Sequence, residues 1–256
     1  MPKKTAGAAA KPTSKSGAKP AEDGAVAARP RRERRSVRRE AALTAAFRIA
    51  EQEGAAGLSM RRVAQELSVD VTALYRVFRD KDELLLALCE RVIESELAEL
   101  GDVPDDEPWQ DTLRRIAATI WESQLRFPAI TVLTFARITG GPAERRMVEL
   151  LVDAFARSGL PRDRVVLFYR AFVDSVLGLC AHSAVLGSLD PEVREKDDTT
   201  WSRVYAHLPE TDHPATRAHI AELTAVTQKS IYDTAVEALL TATERAAAGE
   251  GAGGAG

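Results

Sequence analysis

From about residue 36 onward, apolar side chains recur every three to four residues in segment after segment, the spacing that gives a helix one buried face. No internal repeat and no apolar–polar alternation longer than a few residues interrupts it. Residues 36–53 place Leu43, Phe47 and Ala50 on one face and end at Gly54, a C-cap glycine. In residues 58–84, LSMRRVAQELSVDVTALYRVFRDKDEL, Ser59 stands as N-cap before a short run of Val63, Ala64 and Leu67. Ser68, Val69 and Asp70 then turn the chain, with Asp70 as the next N-cap and Leu74, Val77 and Phe78 continuing the apolar face. A small residue at the crossing (Ala64) and a buried Val69 past the turn let the two helices pack steeply. That packing leaves Val71, Thr72, Ala73, Tyr75 and Arg76 on the outer face of a helix-turn-helix, and an α-helix fits the major groove of B-DNA.

The same pattern divides the rest of the chain. Asp80 and Glu83 form a capping box before a helix bearing Leu84, Leu85, Leu88, Val92, Ile93 and Leu97. Residues 101–108 break it, and Pro108, at the first helical position, opens a helix over 109–126 with Leu113, Ile116, Ala117, Ile120, Trp121 and Leu125 apolar. After the Phe127-Pro128 break a short apolar run reaches Ile138. Gly140, Gly141 and Pro142 open a helix ending near Ser158-Gly159, and Pro161 opens a long one over 162–186. Apolar residues nearly encircle that last helix, which predicts burial on most sides. Residues 188–213 read as irregular, with a short helical piece over 201–208 left open. A final helix over 215–245 carries the stripe Ile220, Leu223, Val226, Thr227, Ile231, Ala235, Leu239 and Leu240.

Composition narrows the class. The chain has 256 residues, room for one large or two modest domains. No apolar run approaches the ~18–20 residues that span a bilayer, and the N-terminus lacks an apolar signal-peptide core. Cys89 and Cys180 stand far apart and outside any CxxC pattern, so a reduced cytosol with both as small buried hydrophobes is expected. The formal net charge of −3 hides an uneven spread: residues 1–40 hold twelve Lys/Arg against four Asp/Glu, leaving 23 against 34 beyond. A basic arm on an acidic body suits a protein that touches a polyanion at one end. Residues 1–30, rich in Lys, Ala, Pro, Gly and Ser, read as disordered, as does the Gly/Ala tail. The run RRERRSVRR (31–39) is either a solvated linker or an arm on phosphates or a minor groove.

The run VTALYRVFRDKDELL resembles the end of the DNA-binding domain of the tetracycline-repressor (TetR) family, through Leu74, Tyr75, Phe78, Lys81 and Leu84. The resemblance covers about residues 36–88. One departure is Ser68, where the family usually has Gly; a non-Gly residue there needs a different turn or carries modest strain. FPAITVLTFARITGG, AFARSGLPRDRVVLFYRAFVDSVLG and HPATRAHIAEL look more loosely like the ligand-binding and dimerisation domain found with this head in the tetracycline repressor's own subgroup. The resemblance implies an all-helical body, a two-fold dimer built mainly from the last two long helices, and a small-molecule pocket in each body. It also implies that Tyr75 and Lys81 touch DNA phosphates; the alternatives are a packing tyrosine and a lysine paired with Asp82.

Candidate site residues follow. Ser59, Arg61, Arg62, Val71, Thr72, Ala73, Tyr75, Arg76 and Lys81 form the expected DNA-binding set. Thr72, Ala73 and Arg76 are the best base-edge readers, since Arg meets guanine bidentately and Thr or Ala meets a thymine methyl. Of Arg61 and Arg62, one should face DNA while the other pairs with Glu66. Trp121, Gln124, Phe168 and Phe172, on helices that face each other in the resembling fold, are either core or pocket lining. His182, in the middle of the long helix, is either a satisfied core histidine or a ligand contact. The other histidines, His207, His213 and His219, lack zinc spacing. No GxSxG, HExxH or P-loop occurs, so neither catalysis nor a cofactor is expected.

The expectation is therefore an all-α chain: a disordered basic arm (1–35), a three-helix DNA-binding domain (36–84), a helical ligand-binding and dimerisation domain (85–246) and a tail (247–256). Its function would be that of a cytoplasmic, homodimeric repressor released from a palindromic operator by a small molecule. The alternative is an architectural DNA-binding dimer on the same fold without an effector.

Overall fold

The strong 3.6-residue periodicity, punctuated by Pro and Gly, produces an array of helices joined by short loops. The structure, a computed structural model, describes residues 31–251, and no strand occurs among them. In chain order the helices are α1 (Arg31–Gly57), α2 (Met60–Glu66), α3 (Val71–Tyr75), α4 (Lys81–Leu100), α5 (Trp109–Arg126), α6 (Pro128–Thr134) and α7 (Pro142–Arg157). Then come α8 (Arg162–Gly187), α9 (Pro191–Arg203), a 3-10 turn (Tyr205–His207), α10 (Pro214–Ala218), α11 (Ile220–Ala225) and α12 (Gln228–Gly251). The expectations of disorder over 1–30 and 252–256 lie outside the described residues. Helix α1 includes Arg31–Arg39, so the basic run is helical, and α12 continues to Gly251, through half of the expected tail.

The head is closed by small side chains. Ala42, Ala45, Ala46, Ile49 and Ala50 of α1 are fully buried against Val63, Leu74, Phe78, Leu84 and Leu88. Gly54 interrupts α1 with φ 71° and ψ −176°, a conformation that only glycine adopts without strain. The Ser59 hydroxyl accepts from the Arg62 amide at 3.2 Å and caps α2. At the other end of α2, the Val69 amide donates to the Ala64 carbonyl and the Ser68 amide to the Gln65 carbonyl, both at 3.0 Å. These two bonds define a Schellman motif, whose C′ residue must be left-handed. Ser68 occupies that position at φ 54°, the one non-glycine with positive φ among the described residues. Val69, expected to be buried, is 43% exposed, because the left-handed step directs it outward; Leu67 and Val71 pack on the head core instead.

The body wraps α5, α7, α8 and α12 around Trp121, Phe155, Phe172 and Tyr232. Tyr232 is fully buried, stacks on Trp121 at 4.5 Å, and donates its hydroxyl to the Ala117 carbonyl at 2.7 Å. A buried phenol needs such a partner.

Several expectations need correction here. Pro108 is the N-cap of α5 rather than its first helical residue. Residues 188–213 are not irregular: Asp190 caps α9 by accepting from the Glu192 amide, although α9 buries no side chain. The final helix is three helices. Val226 is extended, and Thr227 and Ser230 exchange side-chain-to-amide bonds at 3.1 Å, a reciprocal cap that starts α12 afresh. The buried face of α12 is Tyr232, Val236, Leu240 and Thr243, so Ile231 of the expected stripe is exposed and Ala235 and Leu239 are only partly covered. Finally, α8 is long and apolar enough to cross a membrane by length and composition alone, and only 28% of its most apolar window is buried. Val166, Leu167, His182 and Val185 of α8 face outward, so the helix is not buried on most sides of this protomer.

Ser68 supplies a test of the turn. Ser68→Gly should raise stability by up to about 1 kcal/mol, relief of the left-handed strain outweighing the added freedom of the unfolded chain. Ser68→Val should lower it, since a β-branched residue tolerates positive φ least. Urea midpoints of the two variants check the ordering.

Candidate DNA interface and body cavity

The head presents one polar face. Thr72 and Tyr75 of α3 and its C-cap Arg76 are exposed, Tyr75 at 50%, while Leu74 is buried. Val71 and Ala73 are half-buried, and Val71 packs on the head core, so the free face is narrower than expected. The Asp70 carboxylate accepts from the Thr72 amide at 2.7 Å, and the Thr72 hydroxyl, then that amide, hold its pKa below the ordinary range. Lys81, the first residue of α4, is exposed. The Asp80 side chain accepts from the Glu83 amide at 2.8 Å, but Glu83 reaches back to the Arg79 amide, one residue before the expected partner.

The two arginines of α2 separate. Arg62 is bound to Glu53 at 2.6 Å and Glu66 at 3.0 Å, and these hydrogen bonds raise its pKa. Arg61 is exposed. Arg62 thus fastens α2 to the end of α1 and makes the Glu66 pairing expected of one of the two arginines, while Ser59 accepts the cap bond and keeps its hydroxyl proton to donate.

The body contains a cavity of about 680 Å³, its open mouth included, between α4, α5, α7 and α8. Its walls are mainly apolar: Ile93, Ile120, Met147, Val148, Leu151, Phe172, Val173, Val176 and Leu177. Its polar groups are Glu96, Gln124, Thr134, Arg137, Glu144 and Tyr169, with Cys89 beside them. Glu96 is 3% exposed and accepts from Gln124 Nε2 at 2.8 Å. Burial pushes its carboxyl up to about 7, and the Gln124 and Ser123 side chains restrain the rise. Gln124 is itself held by the Thr131 hydroxyl, 2.9 Å from Gln124 Oε1. Burial also pushes the thiols of Cys89 and Cys180 up to about 12.

Of the pocket residues expected from sequence, Gln124 and Phe172 line this cavity. Trp121 does not; it covers Tyr232 and borders a separate open depression near Pro128 and Gly187. Phe168 packs at the edge of the body core, with the Arg164 guanidinium 5.5 Å above its ring. His182 is exposed on the outer face of α8, neither a core histidine nor a cavity contact. One turn of α8 separates Phe168 from Phe172, and the cavity-facing row of the helix runs through Tyr169, Phe172, Val173, Val176 and Leu177.

Residues 42–88 match the family described as bacterial regulatory proteins, tetR family, so the head carries that family's DNA-binding domain. It is similar to an HTH-type transcriptional repressor of Mycobacterium tuberculosis, 32% identical over 159 residues, which cover 59% of each chain. The match thus spans under two thirds of that relative. Among solved structures, apo ActR from Streptomyces coelicolor superposes with a TM-score of 0.72 at 19% identity, covering 83% of this chain and 97% of ActR. ActR in complex with actinorhodin superposes at 0.71 with 20% identity, covering 82% and 97%. At that identity the likeness shows the fold.

Glu96 is the cavity residue that sequence reasoning missed. It occupies a register position between Val92 and Leu100 on the buried side of α4, both of them buried. A carboxylate interrupting an apolar stripe at helical spacing was the available signal.

Glu96 predicts a pH dependence with a definite sign. Its folded pKa, about 7, lies above the ordinary 4.5. Below 4.5 both states are protonated and nothing is lost; as pH rises toward 7 the unfolded chain sheds its proton first, and stability falls. The loss reaches about 3 kcal/mol above pH 7. Glu96→Gln should abolish that part of the profile, so the variant should gain on the wild type between pH 5 and pH 8 in urea unfolding. Parallel profiles would remove Glu96 as its source.

Proposed function

We propose that this chain is a homodimeric, sequence-specific TetR-family repressor, released from a palindromic operator by an organic small molecule held in the body cavity. One observation carries the reading: helix α4 supplies Lys81 to the exposed face of the head and Cys89, Ile93 and Glu96 to the cavity wall. A second bond ties the two ends together, since Arg137 at the cavity pairs with Asp82 in the first turn of α4 at 2.7 Å. Lys81 therefore sits one residue from a group that the cavity rim holds. An effector that favours one setting of α4 over the other shifts the population of head spacings, and its leverage equals its difference in affinity for the two.

In this reading Thr72 and Arg76 meet base edges, while Tyr75, Lys81 and Arg61 meet phosphates. Two heads on one operator require half-sites about one DNA turn apart, roughly 34–36 Å or a multiple. The partly uncovered α8, with Val166, Leu167 and Val185 exposed, and Ile231 on α12 supply apolar surface for a two-fold interface. The actinorhodin complex of ActR, a protein of the same fold, supports an organic ligand. The alternative of an architectural dimer without an effector is disfavoured by the cavity, which a purely structural body would fill.

Lys81→Ala should weaken specific and random DNA alike and lower the salt slope by roughly one unit. Arg62→Ala should instead destabilise the head through the loss of two carboxylate partners, with the slope of the folded fraction unchanged. Titrations at several salt concentrations separate the two, and an unchanged slope for folded Lys81→Ala would refute its phosphate contact.

The interface calls for its own test. Val185→Asp combined with Ile231→Asp should leave a folded protomer, since both side chains are exposed, and abolish dimerisation and cooperative operator binding. Sedimentation alongside operator titration checks this. Val226, which sits in the loop before α12 rather than mid-helix, is a poor site for such a probe. A doubly substituted chain that stays dimeric would place the interface elsewhere.

A further inference from the structure

The cavity's charge distribution narrows the effector, given the sensor reading above. Its ionisable lining comprises Glu96 and Glu144, Arg137, Tyr169 and Cys89. Arg137 is already neutralised by Asp82 at 2.7 Å. Glu144 lies at the rim, where its Oε2 accepts from the Gly140 amide and from the Thr139 hydroxyl at 3.2 Å. Glu96 is different. It is 3% exposed, and the side chain that holds it, Gln124 of α5, is neutral. Among the described residues no Arg, Lys or His forms an ion pair with it. A carboxylate accepts at about four positions, and an unpaired one in an apolar enclosure is costly. The remaining walls offer Ile93, Ile120, Met147, Phe172, Val173 and Val176, which suit a hydrophobic skeleton.

We propose that the cavity takes an apolar, ring-bearing organic cation whose ammonium pairs with Glu96. The ligand supplies the missing charge partner, and its rings replace the empty contact with the apolar walls. An organic anion of the same shape meets Glu96 and Glu144 without a free cation, so the site discriminates by repulsion as well as attraction.

A matched set of probes tests this on the full-length chain: anthracenylmethylamine, anthracenylmethanol and anthracenecarboxylate, followed by their own fluorescence. The amine should bind roughly tenfold or more tightly than the carboxylate, with the alcohol between. Glu96→Gln should collapse the amine-to-carboxylate ratio while leaving the alcohol nearly unchanged. Val173→Trp, which fills the cavity from α8, should remove binding of all three. Preference of the wild type for the carboxylate, or an amine preference that survives Glu96→Gln, overturns the proposed class but leaves a sensor with another ligand. Failure of all three to bind, or binding insensitive to Val173→Trp, overturns the cavity as an effector site and the class with it.

Discussion

A single helix belongs to both hydrophobic cores. The N-terminal half of α4 puts Leu84, Leu85, Leu88 and Val92 into the head core. Its C-terminal half puts Leu100, Ile93 and Leu97 into or against the body core. Neither core closes without it, so α4 cannot tilt without repacking at least one. Close-packed interiors do not deform smoothly, and discrete settings of α4 are the natural outcome. The polar contacts along it have the same character. Arg137 holds its first turn through Asp82, and Glu90 in its middle accepts from the Ala143 amide and so caps α7. Gly141 is required by that arrangement, because a Cβ there would lie 2.3 Å from the Glu90 carboxyl carbon. Helix α6 completes the link: Ile130 enters the head core, and Phe127 meets Phe47 of α1 edge-on at 5.3 Å.

The head was legible in sequence because its signals are local. Ser59, Asp70 and Asp80 cap the helices they were expected to cap, and each bond spans only two or three residues. Likewise the bounds of α5 and α7 follow Pro and Gly punctuation that acts within a turn. The strain at Ser68 was also readable, since any chain reversing there needs a left-handed residue. What failed in the head was tertiary: a residue's side of the chain after a left-handed step, as at Val69, depends on where that step points.

The body was less legible because helical periodicity says that a face is apolar, not what covers it. Helix α8 is apolar nearly all round, and burial on most sides was the wrong inference for one protomer. His182 illustrates the consequence: apolar neighbours in sequence suggested an interior, yet it lies on the uncovered side. Phe168 and Phe172 are one turn apart and have different fates: Phe172 lines the cavity with Tyr169 and Val173, while Phe168 packs at the edge of the body core. The break before α12 rests on Thr227 and Ser230, a reciprocal cap without the usual acidic member, and an unbroken stripe of apolar residues concealed it.

Glu96 ties these points together. A buried carboxylate weakens the empty fold at neutral pH, and nothing in the packing of α4 requires it: a leucine at that register would extend the stripe from Val92 to Leu100. The polar chain that supports it, Thr131 to Gln124 to Glu96, runs from α6 through α5 to α4. Those three helices include both that touch the head core, α4 and α6. A charge partner arriving in the cavity would therefore act on a polar connection that joins the cavity wall to the elements carrying the head. A filled apolar core at the same place would be more stable and would transmit nothing.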